Sequence, residues 1–279
     1  SANCGQGIAT VKPVENIHLL GIGNAQFVGA DHPRATGDSA KTLGVRTYGT
    51  DAGKAGCKQT GDWRNIGILM ANVAHFSIRG ITLRNAHCWA ISLEQCSFGT
   101  IREITFFAET NAVIDGKPER ILNRDGLDLR RGCHDISIDT VTGYTGDDSV
   151  ALTALAVHER PAGILESTEV MGVVPGDPSN DIYNVTIRNV LSCSRGCDHI
   201  VRFLNASGVK MHHILLDGVV DTSPDGVCAH AAVRIGDRQP AWGGVAPLGT
   251  AYAFQVRNIT SKARQAVLID GSLTDSVIS

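Results

Sequence analysis

Residues 123–152 read NRDGLDLRRGCHDISIDTVTGYTGDDSVAL. Two segments in this stretch have the same form, a turn running into a short strand. The first is Asn123-Arg124-Asp125-Gly126-Leu127-Asp128-Leu129 and the second is Gly146-Asp147-Asp148-Ser149-Val150-Ala151-Leu152. Between them lies a third strand pattern, Ser137-Ile138-Asp139-Thr140-Val141. Aligning Leu129 with Leu152 sets Asp125 opposite Asp148, an offset of 23 residues. Stacked neighbouring strands lie about 4.8 Å apart, so Asp125, Asp147 and Asp148 would form one cluster. Asp and Gly beside strands are commonly plain turn residues, so no single one of these acids is informative. Three brought together by a repeat are, because like charges that close cannot all ionise freely.

The pattern extends in both directions. A motif of small residue, Ile, charged residue, any residue, Ile or Val appears at Ser77–Ile81, Thr100–Ile104, Ser137–Val141 and Thr186–Val190. Weaker copies are read at Lys210–Ile214 and Gln255–Ile259. Each is followed by a second strand, and these align by their last apolar residue: Leu93, Leu129, Leu152, Phe203, Ile235 and Ile269. Short strands at a period in the low twenties mark a solenoid whose coils are stable only when stacked. A leucine-rich repeat would carry a leucine consensus and an asparagine ladder, and neither is present. The expected fold is therefore all-β, a single-stranded parallel β-helix, with residues 1–279 as one domain. Residues 30–64 and 153–180 read as long loops or insertions. No capping helix precedes the repeats and no polar cap follows them, which raises the expectation of a longer parent chain at both ends.

Composition narrows the function classes. The chain of 279 residues is 43% hydrophobic with a net charge of −3, so a sizeable core is available and no basic surface points to nucleic acid. No apolar run approaches a membrane span. The chain opens in a Gly-containing loop, the form expected where a leader has been removed. Eight cysteines show no pair of CxxC units. They fit either disulfides in an exported protein or thiols stacked inside the solenoid. The sequons at Asn184, Asn205 and Asn258 fit glycosylation or ordinary β-helix turns.

One position before each anchor stand Ser92, Asp128, Ala151, Arg202, Arg234 and Leu268, and four before stand Trp89, Asp125, Asp148, His199, Ala231 and Gln265. Strand alternation turns the residue next to a buried anchor outward. This predicts a groove with acids in the middle, a histidine and two arginines on one side, and an aromatic one coil upstream. Such a groove suits an anionic sugar chain, since arginine forks onto carboxylates. Cleaving a glycosidic bond needs one acid and one carboxylate, which the cluster can supply. Asp125, Asp147, Asp148 and His199 are the catalytic candidates. Arg202, Arg234, Trp89, Asn123 and Asp128 are the substrate-binding candidates.

Asn123-x-Asp125-Gly126, the Asp147-Asp148 pair, His199 and Arg234-Ile235 resemble, in order and spacing, glycoside hydrolase family 28, the polygalacturonases and their relatives. The likeness runs from about residue 65 to the end. It implies a right-handed parallel β-helix, a secreted or periplasmic enzyme, a pectic polysaccharide as the partner, and no metal or cofactor. It also implies Asp147 as general acid, Asp125 and Asp148 activating water with inversion, His199 tuning the acid, and Arg234 binding a substrate carboxylate. Three motifs depart from the family. Its Asn-Thr-Asp reads Asn123-Arg124-Asp125, its Gly-His-Gly reads Asp198-His199-Ile200, and its Arg-Ile-Lys reads Arg234-Ile235-Gly236. The missing lysine bears on specificity, and Arg202 is the candidate replacement cation. The segments 153–180 and 236–250, the latter with Trp242, would wall the groove and favour chain-end cleavage or a different pectic substrate. A monomer is expected. The competing readings are a polysaccharide lyase or epimerase on the same scaffold and a non-catalytic carbohydrate-binding β-helix.

Overall fold

The computed structural model describes residues 12–29, 40–42, 58–60, 66–114, 116–155, 164–165, 176–205, 208–227, 229–240 and 244–279. These form a right-handed parallel β-helix. Its longer sheet stacks Val14–Leu20, Val73–Arg79, Ser97–Phe107, His134–Thr145, Ile182–Ser194, Met211–Asp221, Ala251–Thr260 and Val277–Ile278 in that order. The second sheet stacks Ile68–Ala71, Ile91–Glu94, Leu127–Arg130, Val150–Ala154, His199–Asn205, Ala231–Ile235 and Gln265–Ile269. Strand neighbours in both are parallel, as successive coils require.

The core is a set of ladders running along the solenoid. Ile78, Ile101, Ile138, Ile187, Leu216 and Val256 pair in register through successive coils and are buried. Each inward side chain therefore touches its equivalents above and below. Burying a side chain of this size contributes about 1.5–3 kcal/mol, and no coil could achieve that burial alone.

The long strands bend at two recurring left-handed residues. One column is Asn16, His75, Phe98, Asp135, Asn184, His213 and Ala253, and the other is Gly80, Glu103, Thr140, Asn189, Gly218 and Asn258, all at positive φ. Only Gly, and to a lesser extent Asn and Asp, adopts this region cheaply. Side-chain bonds support some of the turns: Asn184 donates to Asp135 at 3.1 Å, Asn189 to Asp139 at 2.9 Å and Asn258 to Asp217 at 2.7 Å. The sequon asparagines 184 and 258 thus serve as turn residues here. One residue before the first column the sheet carries stacked rings, with Tyr183 between His134 and His212, and Tyr252 beyond.

The structure corrects one repeat. Met211 pairs with Ile182 and Ile214 with Val185, whereas Leu216 pairs with Ile187 and Val219 with Val190. The copy in this coil is thus Leu215–Val219, not Lys210–Ile214. Gly218, at φ 91°, occupies the left-handed position that Asn189 holds in the preceding coil. The two expected insertions also contain strands rather than loop alone. Ala40–Thr42 pairs antiparallel with Lys58–Thr60, which pairs parallel with Ile164–Leu165. Within these segments, residues 30–39, 43–57, 61–64, 156–163 and 166–175 lie outside the described residues, as does Trp242. Cys96, Cys133 and Cys193 are free and buried, Cys197 is free and exposed, and Cys88 is buried. Cys4, Cys57 and Cys228 lie outside the described residues.

Candidate active site

The second sheet has the register read from the sequence. Leu129 pairs with Leu93 and Leu152, Leu152 with Phe203, Phe203 with Ile235, and Ile235 with Ile269. Asp125 and Asp148 consequently fall at equivalent positions on adjacent coils. One oxygen from each of Asp125, Asp147 and Asp148 lies within 4.8 Å of the others. The coils approach closely because residue 126 is glycine: a Cβ there would lie 2.4 Å from the Ser149 carbonyl oxygen and 2.7 Å from the Phe106 ring.

Local bonds hold the acids in place. The Asp148 N–H donates to Asp125 Oδ1 at 3.0 Å. The Arg124 carbonyl accepts from the N–H groups of Gly146 and Asp147 at 3.1 and 3.2 Å. The Arg124 side chain is wholly buried. Its Nε donates to the Ala86 carbonyl at 2.6 Å and a terminal nitrogen donates to the Glu109 carbonyl at 2.6 Å. Burial lowers its pKa to about 10. On the other side, Thr145 donates to the Asp147 carbonyl at 2.7 Å, and buried hydroxyls link Thr145, Ser149 and Ser192 at 3.0 and 2.8 Å.

The three acids have divergent electrostatics. Burial, then the neighbouring charges of Asp148 and Asp198, pushes Asp147 well above the usual carboxylate range. Burial and the charges of Asp147, Asp128 and Asp148 do the same to Asp125. Burial also acts on Asp148, but His199 and Arg202 outweigh it and hold that carboxyl below the ordinary value. The His199 N–H and Nδ1 both meet Asp148 Oδ1, at 3.0 and 2.9 Å. Arg202 lies 3.6 Å from Asp148 Oδ2. One carboxylate is thus kept ionised beside two carboxyls that favour their protons, a separation of the kind that assigns acid and base roles. An all-carboxylate set could also hold a hard divalent cation, although three clustered acids alone are no argument for one.

The remaining sequence candidates differ from the expected open groove. The resemblance has His199 acting on Asp147, yet its ring is bonded to Asp148. Trp89 is only 5% exposed and the Arg130 guanidinium lies 4.3 Å over its ring, so that face is not offered to a sugar. Asp128 is buried, and its pKa is raised well above normal by burial, with Asp148 adding to this and Arg130 and Arg202 opposing it. Asn123 sits at φ 51° in the turn before Asp125. Arg202 and Arg234 do stand side by side, paired across adjacent strands, but both hold carboxylates. Arg202 donates to Asp237 at 2.6 Å, and Arg234 lies 3.1 Å from Asp237 and donates to Asp270 at 2.7 Å. Asp198, Asp237 and Asp270 were not singled out from the sequence. Asp237 and Asp270 each follow an anchored strand by one or two residues, and that common position was the available signal.

In comparison with known proteins, residues 36–159 match the family model described as glycosyl hydrolases family 28. The match begins earlier than the expected likeness. It contains Asp125, Asp147 and Asp148 but ends before His199, Arg202 and Arg234. A search of curated proteins gives no match.

Proposed function

We propose that this chain, a glycoside hydrolase of family 28, cleaves a uronate-containing pectic polysaccharide by general acid–base catalysis with Asp147 as the acid. The carrying observation is the contrast between Asp147 and Asp148. Asp147 is the least buried of the three acids and favours its proton, while Asp148 is held ionised by His199 and Arg202. Asp147 donates its proton to the glycosidic oxygen as the bond from that oxygen to the anomeric carbon breaks. Asp148 takes a proton from the attacking water, with Asp125 helping to orient that water. Family 28 enzymes typically work outside the cell, and secretion or export to the periplasm is part of this reading. Among the described residues no helix is long and apolar enough to cross a membrane.

Reducing-sugar release from a panel of pectic polysaccharides, wild type beside Asp147→Asn, tests the assignment. Release by the wild type that disappears in the variant is expected, and release unchanged in the variant would overturn Asp147 as the acid.

Inversion is the outcome implied by the family resemblance. NMR of the first-formed anomer tests this, and a retained anomer would overturn it.

A further inference from the structure

A pair of arginines beside a glycosidase acid cluster would ordinarily be the site that grips a sugar carboxylate, because the guanidinium fork matches a carboxylate in shape and charge. In this chain that fork is already filled from within. One oxygen of Asp237 lies 2.6 Å from Arg202 and 3.1 Å from Arg234, bridging the two. Its other oxygen accepts the Gln239 N–H at 2.8 Å. Asp270 closes the far side of Arg234 at 2.7 Å and also pairs with Arg238. Asp148 lies 3.6 Å from the near side of Arg202. Three guanidinium groups therefore face three carboxylates.

The burial is uneven in an informative way. The Asp237 side chain is 2% exposed, whereas those of Arg202 and Arg234 are 17% and 15% exposed. The guanidiniums keep an outer edge while the carboxylate between them is sealed. The device is also fixed in place. Gly236, at φ 82°, turns the chain directly after the anchor Ile235. A Cβ at this position would lie 2.7 Å from the Gly271 Cα.

We propose that Asp237 determines specificity by occupying the carboxylate fork of Arg202 and Arg234, so that the sugar bound at this subsite is uncharged, a methyl-esterified uronate or a neutral residue. A free uronate would have to displace a buried, doubly paired carboxylate or lie against it as a like charge. An ester or a hydroxyl can accept hydrogen bonds from the exposed guanidinium edges without adding charge. The inference rests on the reading of this face as the substrate groove.

The test is binding, with trigalacturonate and its methyl-esterified counterpart as probes, in an Asp147→Asn background that prevents turnover. With Asp237 intact, the ester should bind at least as tightly as the acid. With Asp237→Asn added, the acid should gain at least tenfold while the ester does not. Three results would overturn the proposal: a tenfold preference for the acid with Asp237 intact, an unchanged ratio in the variant, or no binding of either sugar to either protein. A thermal melt accompanies each variant. If Asp237→Asn fails to fold, the ratio measured with Asp237 intact still decides, and Asp270→Asn, which releases only the far side of Arg234, should move it in the same direction by a smaller factor. A shifted ratio together with no hydrolysis by the wild type would count against the acid–base reading alone.

Discussion

At the residue scale, Asp147 and Asp148 are consecutive in the chain and opposite in character. Their directions set the pH dependence. Asp148 must be ionised, and its lowered pKa puts the acid limb of the rate profile below the ordinary Asp value of about 3.9. Asp147 must be protonated, so activity is lost as pH rises through its raised pKa. A bell-shaped profile is expected, and His199→Ala should move its acid limb upward by removing the group that holds Asp148 ionised. An unmoved limb would separate His199 from that role. Asp147→Asn should lower kcat by roughly 10²–10⁴-fold. The buried acids also affect stability. For a group whose folded pKa is raised, folding weakens as pH climbs from the unfolded value toward the folded one. Asp128→Asn should therefore raise the melting temperature at pH 7, by about 2–4 °C for each kcal/mol recovered, and should not do so near pH 3. Melting curves at the two pH values check this.

At the scale of the elements, the acid turn depends on close approach and on one buried cation. Gly126→Ala would drive a methyl group to 2.4 Å from the Ser149 carbonyl, part the two coils that carry Asp125 and Asp148, and cost about 1–3 kcal/mol. Denaturant midpoints and reducing-sugar release should fall together. The bends offer the opposite change. Thr140 is β-branched at φ 65°, a conformation that costs an L-residue roughly 1–2 kcal/mol. Thr140→Gly should recover part of that and raise the denaturant midpoint, even though the Thr140 hydroxyl bond to Asp139 at 3.1 Å is lost.

These elements also show what the sequence could reveal. The anchors from Leu93 to Ile269 were legible because each ends a short apolar-rich segment of the same form, and the sheet register follows them. Asp125, Asp147 and Asp148 were legible through the same alignment. The coil at 210–219 was misread because Met211 and Ile214 fall at apolar spacing ahead of the true pair Leu216 and Val219, and a short motif does not reveal which apolar pair starts the turn. The arginine partners were hidden for a different reason. Asp237 and Asp270 lie in turns beyond the strands, where no periodicity governs them. The outward column was expected to be open. It proved largely buried, because alternation gives the direction of a side chain and not what covers it.

At the scale of the whole molecule, stability is a sum over neighbouring coils. Ile138 is buried between Ile101 and Ile187 in the stack. Ile138→Ala should cost about 2–5 kcal/mol. The loss should be local at first, with amide exchange quickening in the strands Ser97–Phe107 and Ile182–Ser194 before it does in Ala251–Thr260. Equal quickening in all of them would indicate one cooperative unit rather than a stack.

The two left-handed columns mean that successive coils from Val73 to Thr260 change direction at equivalent places, whichever residue stands there. A complete coil could be duplicated or deleted by recombination and its neighbours would still meet matching ladders. A gain or loss of a single residue inside a strand would turn inward side chains outward for the remainder of that strand. The lineage of such a chain is therefore expected to vary by whole coils and by excursions at the corners, with its catalytic coil pair inherited as one indivisible block.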